Sequence, residues 1–78
     1  MTIEERVRSL VADVLGAPLA SISAQSSHEN VQGWDSMAMI NLMMAVEAEF
    51  GVQLTVEDAT GLDSVQAIIK VIQDRGAA

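Results

Sequence analysis

From Ile3 onward the apolar residues Val7, Leu10, Val11, Val14 and Leu15 recur at helical spacing, which predicts a one-faced helix over Ile3 to Leu15. Ahead of it, Thr2 and Glu5 stand in the order of a capping box, and Gly16 followed by Pro18 ends the segment. Periodicity then disappears over residues 16–34, which hold Gly, Pro, four Ser and Asn, with isolated apolar residues at Leu19, Ile22, Val31 and Trp34. A connection of that length marks function or a pinned loop, and the scattered apolar residues predict pinning. The helical pattern returns at Ser36, runs to Phe50 and is closed by Gly51. Thr55 with Asp58 repeats the capping-box order and opens a short helix stopped by Gly61. Asp63 or Ser64 caps a last helix, whose Val65, Ile68, Ile69 and Ile72 share a face before Gly76. The pattern predicts an all-α fold: a small four-helix bundle of three main helices and one short one, without repeats or strands longer than a few residues.

The second helix carries more apolar surface than a bundle requires. At about 100° per residue, Met39, Leu42, Met43, Val46 and Phe50 gather on one side as a core face, while Met37, Ile40 and Met44 lie roughly opposite. Two readings fit this second stripe. Either it packs under the long loop or the short helix, or it is a pliable Met-rich contact surface with Glu47 as a charged rim.

Composition narrows the class. The 78 residues suit one domain spanning 1–78, and with half of them apolar a modest core forms without staples. Cysteine is absent, which rules out disulfides and thiolate metal sites and fits a reducing compartment. The opening MTIEERVRSL lacks the apolar segment of a signal peptide, and the longest mainly apolar run, Met37 to Val46, is ten residues, about half a membrane span. A soluble, cytoplasmic, monomeric protein without a membrane association is expected. The net charge is −7, and its distribution matters more than its size. The four bases, Arg6, Arg8, Lys70 and Arg75, sit near the ends, whereas Ser9 to Ile69 contains eight carboxylates and no base. That field repels nucleic acid and draws in basic protein surfaces, although acidity alone also serves solubility.

The stretch GWDSM, Gly33 to Met37, puts a carboxylate and a hydroxyl at the mouth of the second helix. A hydrolytic serine needs a base within hydrogen-bond reach. The one histidine, His28, lies eight residues earlier in the loop, and WDS lacks the glycines of a nucleophile elbow. With one His and no Cys, metal chemistry has only scattered carboxylates to use, and Asp58 to Asp63 lacks the ligand order of a calcium loop. Asp35 or Ser36 serves as helix N-cap. One cap is enough, so the remaining group stands at the positive end of the helix dipole, a favourable place for a phosphate ester.

These residues resemble those of the acyl carrier proteins, whose signature is an Asp-Ser-Leu-type motif opening helix 2. The likeness runs from TIEERV through the long first loop and GWDSMAMINLMMAVEAEFGVQL to SVQAIIKVI in the last helix. The resemblance implies that a phosphopantetheinyl transferase attaches 4′-phosphopantetheine to Ser36, and that Asp35 helps that enzyme position its divalent metal. It implies a carrier, not an enzyme, holding acyl groups as thioesters for acyl-transferring or acyl-modifying partners with basic docking patches. Met37, Ile40, Met44 and Glu47 would meet those partners, and a core containing Met39 and Met43 would repack around a chain. Met37 stands where Leu is usual, and Trp34 where carriers of fatty-acid synthesis commonly have a small residue. Ala38 and Asn41 occupy positions typically acidic in those carriers. The expectation is therefore a dedicated pathway, such as polyketide or other specialised synthesis, rather than bulk fatty-acid elongation, with Trp34, Ala38 and Asn41 altering the surface that partners meet. A carrier of amino acids or other non-fatty acids is the alternative within the family. An acidic, Met-rich module that grips a basic helix without a prosthetic group is the alternative outside it.

Overall fold

Four orphan N–H groups begin every helix, and the first residues of this chain supply acceptors for them. In the computed structural model, which describes residues 1–75, the Thr2 hydroxyl accepts from the Glu5 N–H at 3.1 Å, and the Glu5 carboxylate accepts from the Thr2 N–H at 3.0 Å. This capping box opens α1 (Ile3–Leu15), and Gly16 closes it with φ 65°, a left-handed conformation that suits glycine. A single 3₁₀ turn, Leu19–Ser21, follows. The chain then forms α2 (Ser36–Phe50), capped by Asp35 and closed by Gly51. Next come α3 (Val56–Thr60), opened by the Thr55–Asp58 capping box, and α4 (Val65–Asp74), capped by Ser64. Bounds and caps of α1 and α2 agree with the sequence pattern, and Ser64 rather than Asp63 caps the last helix. The predicted stop at Gly76 lies outside the described residues.

The core joins α1, α2 and α4 through Val7, Leu10, Val11, Leu42, Val46, Val65, Ile68 and Ile72, while α3 packs on α2. Each fully buried aliphatic side chain contributes about 1.5–3 kcal/mol through removal from water. The expected core face of α2 is present, with Leu42 and Val46 in the core, Met39, Met43 and Phe50 packed against it, and Ala38 added at its edge. Ala38, Leu42 and Val46 are buried, whereas Met39, Met43 and Phe50 are only half-buried. Trp34, just before α2, is buried in the same core as the line 38–42–46. Phe50 packs against the core and also lies under Arg6, whose guanidinium stands 4.4 Å from the ring centre.

The long connection is fastened along the segment that joins α3 to α4. The His28 N–H donates to the Asp63 carbonyl at 2.9 Å and the Val65 N–H to the Ser26 carbonyl at 3.0 Å, with Ser27 and Ser64 forming an antiparallel bridge. Gln66 Nε2 reaches the Ala24 carbonyl at 3.1 Å, and Trp34 Nε1 reaches the Leu62 carbonyl at 2.9 Å. Ile22 and Trp34 are buried and Val31 half-buried, as pinning predicts. Leu19 is exposed on the 3₁₀ turn and takes no part.

All four cations are engaged: Arg6 with Glu49 at 3.2 Å, Arg8 with Glu4 at 3.7 Å, Lys70 with Asp74 at 3.3 Å and Arg75 with Asp58 at 2.6 Å. Asp58 accepts first from the Thr55 N–H and also from Arg75, and these contacts hold its carboxyl below the usual carboxylate range. A depressed folded-state value stabilises the fold above the ordinary carboxylate range, and that stabilisation is lost as pH falls through the lower folded value. Asp58→Asn should therefore flatten the loss of stability on acidification, measured by urea unfolding across a pH series. Part of the slope will remain, because Glu5 is depressed in the same way by its bond to the Thr2 N–H. An unchanged slope in Asp58→Asn would contradict this account.

Candidate functional site

Three residues carry the chain into α2 by an abrupt route. Gly33 takes φ 88°, which a side chain would strain, and Trp34 then enters the core at 4 % exposure. Asp35 returns to the surface in extended conformation, and its Oδ1 accepts from the Ala38 N–H at 2.9 Å. The choice of cap left open by the sequence is thus made in favour of Asp35. Ser36, the first helical residue, is exposed and has no capping task.

Its surroundings are built by two helices. A cleft of about 190 Å³ lies between the start of α2 and α3, lined by Ser36, Met39, Ile40, Val56, Ala59 and Thr60. Around it the surface is apolar: Met37, Ile40, Met44 and Val56 are 42–73 % exposed. The second stripe of α2 is therefore largely exposed, with Ile40 facing the short helix across the cleft. Val56 was missed by sequence reasoning, and its only signal was an apolar residue placed immediately after the Thr55 cap. A larger groove, about 420 Å³, lies elsewhere between α1 and α2, and the Arg6–Glu49 ion pair crosses its lining.

Three expectations change in this setting. Ala38 is 7 % exposed, so that position presents nothing to a partner; only Asn41 of the pair is on the surface. Trp34 is likewise buried and does not alter the outer surface, because its indole fills the core and its N–H has an internal partner. Glu47 is half-buried, and its Oε2 accepts from the Leu54 N–H at 3.0 Å, so this carboxylate also holds the connection between α2 and α3. His28 is exposed, with its backbone tied to Asp63. Among the described residues, no group of three or more His, Cys, Asp or Glu is placed to hold a metal ion. No helix there is long and apolar enough to cross a membrane.

The site fits a phosphodiester-linked group. An exposed hydroxyl at the N-terminus of a 15-residue helix favours an attached anion by about 0.3–1 kcal/mol, and the adjoining cleft offers apolar walls to a flexible organic arm. Comparison with known proteins agrees. Residues 5–72 match the family described as "Phosphopantetheine attachment site". The chain is also 33 % identical over 75 residues to an acyl carrier protein of Solidesulfovibrio magneticus, an alignment covering 96 % of each chain.

The two faces of α2 should respond differently to truncation. Leu42→Ala removes a fully buried side chain and should cost about 2–5 kcal/mol, whereas Met44→Ala should stay below about 1 kcal/mol. Thermal and urea unfolding of both variants measures the contrast. Equal losses would return Met44 to the core.

Proposed function

The chain belongs to the acyl carrier family with a phosphopantetheine attachment site, and from that premise we propose that Ser36 is the residue that bears the arm. Members of the family hold 4′-phosphopantetheine covalently and are carriers, not enzymes. The observation that carries the proposal is an inventory of hydroxyls. Thr2, Ser26, Thr55 and Ser64 accept from neighbouring N–H groups, and so do Ser23 and Ser27. Ser21 and Thr60 donate to the carbonyls of Pro18 and Glu57. Ser9 is half-buried on α1. Ser36 remains as the exposed, uncommitted hydroxyl at a helix N-terminus.

In the loading reaction Ser36 Oγ forms a bond to the pantetheine-side phosphorus of coenzyme A. The pyrophosphate P–O bond breaks, 3′-phosphoadenosine 5′-phosphate leaves, and the hydroxyl proton passes to a base of the transferase. No activating neighbour is therefore needed in the carrier. Asp35 uses Oδ1 for the cap, which leaves Oδ2 to help the transferase position its divalent metal. When attached, the group supplies a thiol that carries acyl chains as thioesters, and its flexible arm raises the effective concentration of cargo in a partner's active site.

Met37, Ile40, Met44 and Val56 form the proposed docking surface for acyl-handling partners of a single carrier domain acting in the cytoplasm. The pairing of every cation leaves the outer field acidic, which suits a basic patch on the partner. Glu57, exposed beside Val56, joins Glu47 as rim charge. The reading of a specialised pathway now rests on Asn41 alone. One missing exposed ion pair is worth about 0.2–1 kcal/mol, a weaker lever on partner choice than the loss of two. An acidic Met-rich module without an arm would explain the patch but leave Ser36 without a task.

Intact mass after incubation with coenzyme A and a promiscuous phosphopantetheinyl transferase tests the assignment. The chain should gain one phosphopantetheine, Ser36→Ala none, and far-UV helicity should persist because Asp35 still caps α2. A mass gain surviving in Ser36→Ala would sink it. Once loaded, Met44→Ala should slow acyl transfer to partner enzymes while its stability stays near that of the unaltered chain. Normal transfer in that variant would remove Met44 from the docking surface.

A further inference from the structure

The cleft beside Ser36 has two walls, and one side chain ties them together. Trp34 lies two residues before Ser36, next to the cap that starts the α2 wall. Leu62 lies two residues after Thr60, which lines the α3 wall. The buried indole N–H of Trp34 donates to the Leu62 carbonyl at 2.9 Å, and no backbone donor reaches that carbonyl among the described residues. At the other end of α3, Glu47 Oε2 holds the Leu54 N–H at 3.0 Å. The short helix is thus held at its entrance and its exit by side chains from α2 and its approach.

Packing alone does not call for an indole here. A phenylalanine or leucine would fill apolar space, but neither could satisfy a buried carbonyl, and a buried carbonyl without a donor is disfavoured. The sharp path through Gly33 and Asp35 places the indole in the core and Ser36 on the surface within three residues. Any shift of the ring is passed directly to the helix start.

We infer that Trp34 is a positioning residue for the attachment reaction: through its bond to Leu62 it fixes the Ser36 hydroxyl relative to the α3 wall. This rests on Ser36 being the attachment residue. The docking surface does not include Trp34, so its loss leaves encounter with the transferase intact while displacing the nucleophile. Small displacements of a reacting atom are costly in rate, and the expected loss is about tenfold.

Trp34→Phe and replacement of Trp34 by benzothienylalanine, which keeps the bicyclic ring but lacks the N–H, test the inference. Single-turnover transfer from coenzyme A is followed across transferase concentrations, with the mass of the peptide released by cleavage after Glu29 and Glu47, in which Ser36 is the one hydroxyl residue, locating the arm. In both variants the maximal rate should fall about tenfold while the half-saturating concentration stays within about twofold. A merely structural role would lower the folded fraction, raise the half-saturating concentration and leave the maximal rate unchanged, and that result would overturn the inference. Benzothienylalanine keeps the core filled, so it decides the matter if the phenylalanine variant folds poorly. Absence of the arm from Ser36 in the unaltered chain would overturn the attachment reading and this one with it. An arm on Ser36 with unaltered maximal rates in the variants would overturn the positioning role alone.

Discussion

A backbone buried beside a core must find partners for its N–H and C=O groups, and the stretch from Gly16 to Asp35 has almost no regular structure in which to find them. Its solution is to lie against the segment joining α3 to α4. Ser26, His28 and Trp34 trade bonds there with Val65, Asp63 and Leu62. These contacts link residues 28 to 39 positions apart in sequence, so they tie the loop to the far end of the chain. The 3₁₀ turn packs on α1, but without these contacts the Gly33 reversal and the approach to α2 would lose their anchor, and the Asp35 cap with them.

The helices then divide the work of α2 between its faces. The line through Ala38, Leu42 and Val46 belongs to the core with α1 and α4, while Met37, Ile40 and Met44 remain outside. Because α3 is only five residues long, it covers a small part of that outer face and leaves a cleft at Ser36 rather than sealing it. A longer third helix would bury the stripe and gain stability, but it would remove the proposed docking surface. The arrangement keeps the proposed docking surface on one side of a helix and the core on the other.

Local signals were the legible part of the sequence. Capping boxes at Thr2–Glu5 and Thr55–Asp58, the closing Gly16 and Gly51, and the periodicity of α1 and α4 each depend on residues within a few positions of one another, and each was readable. Ser36 was singled out by the same means, as a hydroxyl beside a cap. Ala38 was read as a surface position through the family resemblance, although its spacing of four from Leu42 and eight from Val46 sets it beside the core face. What else escaped depends on tertiary placement. Glu47 looked like a free rim charge because its bond to the Leu54 N–H exists only once the chain has turned back toward α3. Val56 was overlooked since one apolar residue has no periodicity, and its exposure follows from the packing of a five-residue helix.

The exposed patch poses a problem of self-recognition. Two copies meeting patch to patch would bury the same methionines that a partner would, and a net charge of −7 spread over the whole molecule does not by itself prevent it. The shortest dimension is 18 Å, while charge is screened over about 8 Å at physiological ionic strength, so carboxylates on the far side contribute little. Those flanking the patch do the separating: Asp35, Glu47 and Glu57 would be brought against their own counterparts, with no free cation nearby to neutralise them. Against the basic rim proposed for a partner, the same three groups would attract rather than repel. One ring of acids would thus let a sticky surface stay solitary among its own kind and still be adhesive toward a proposed partner.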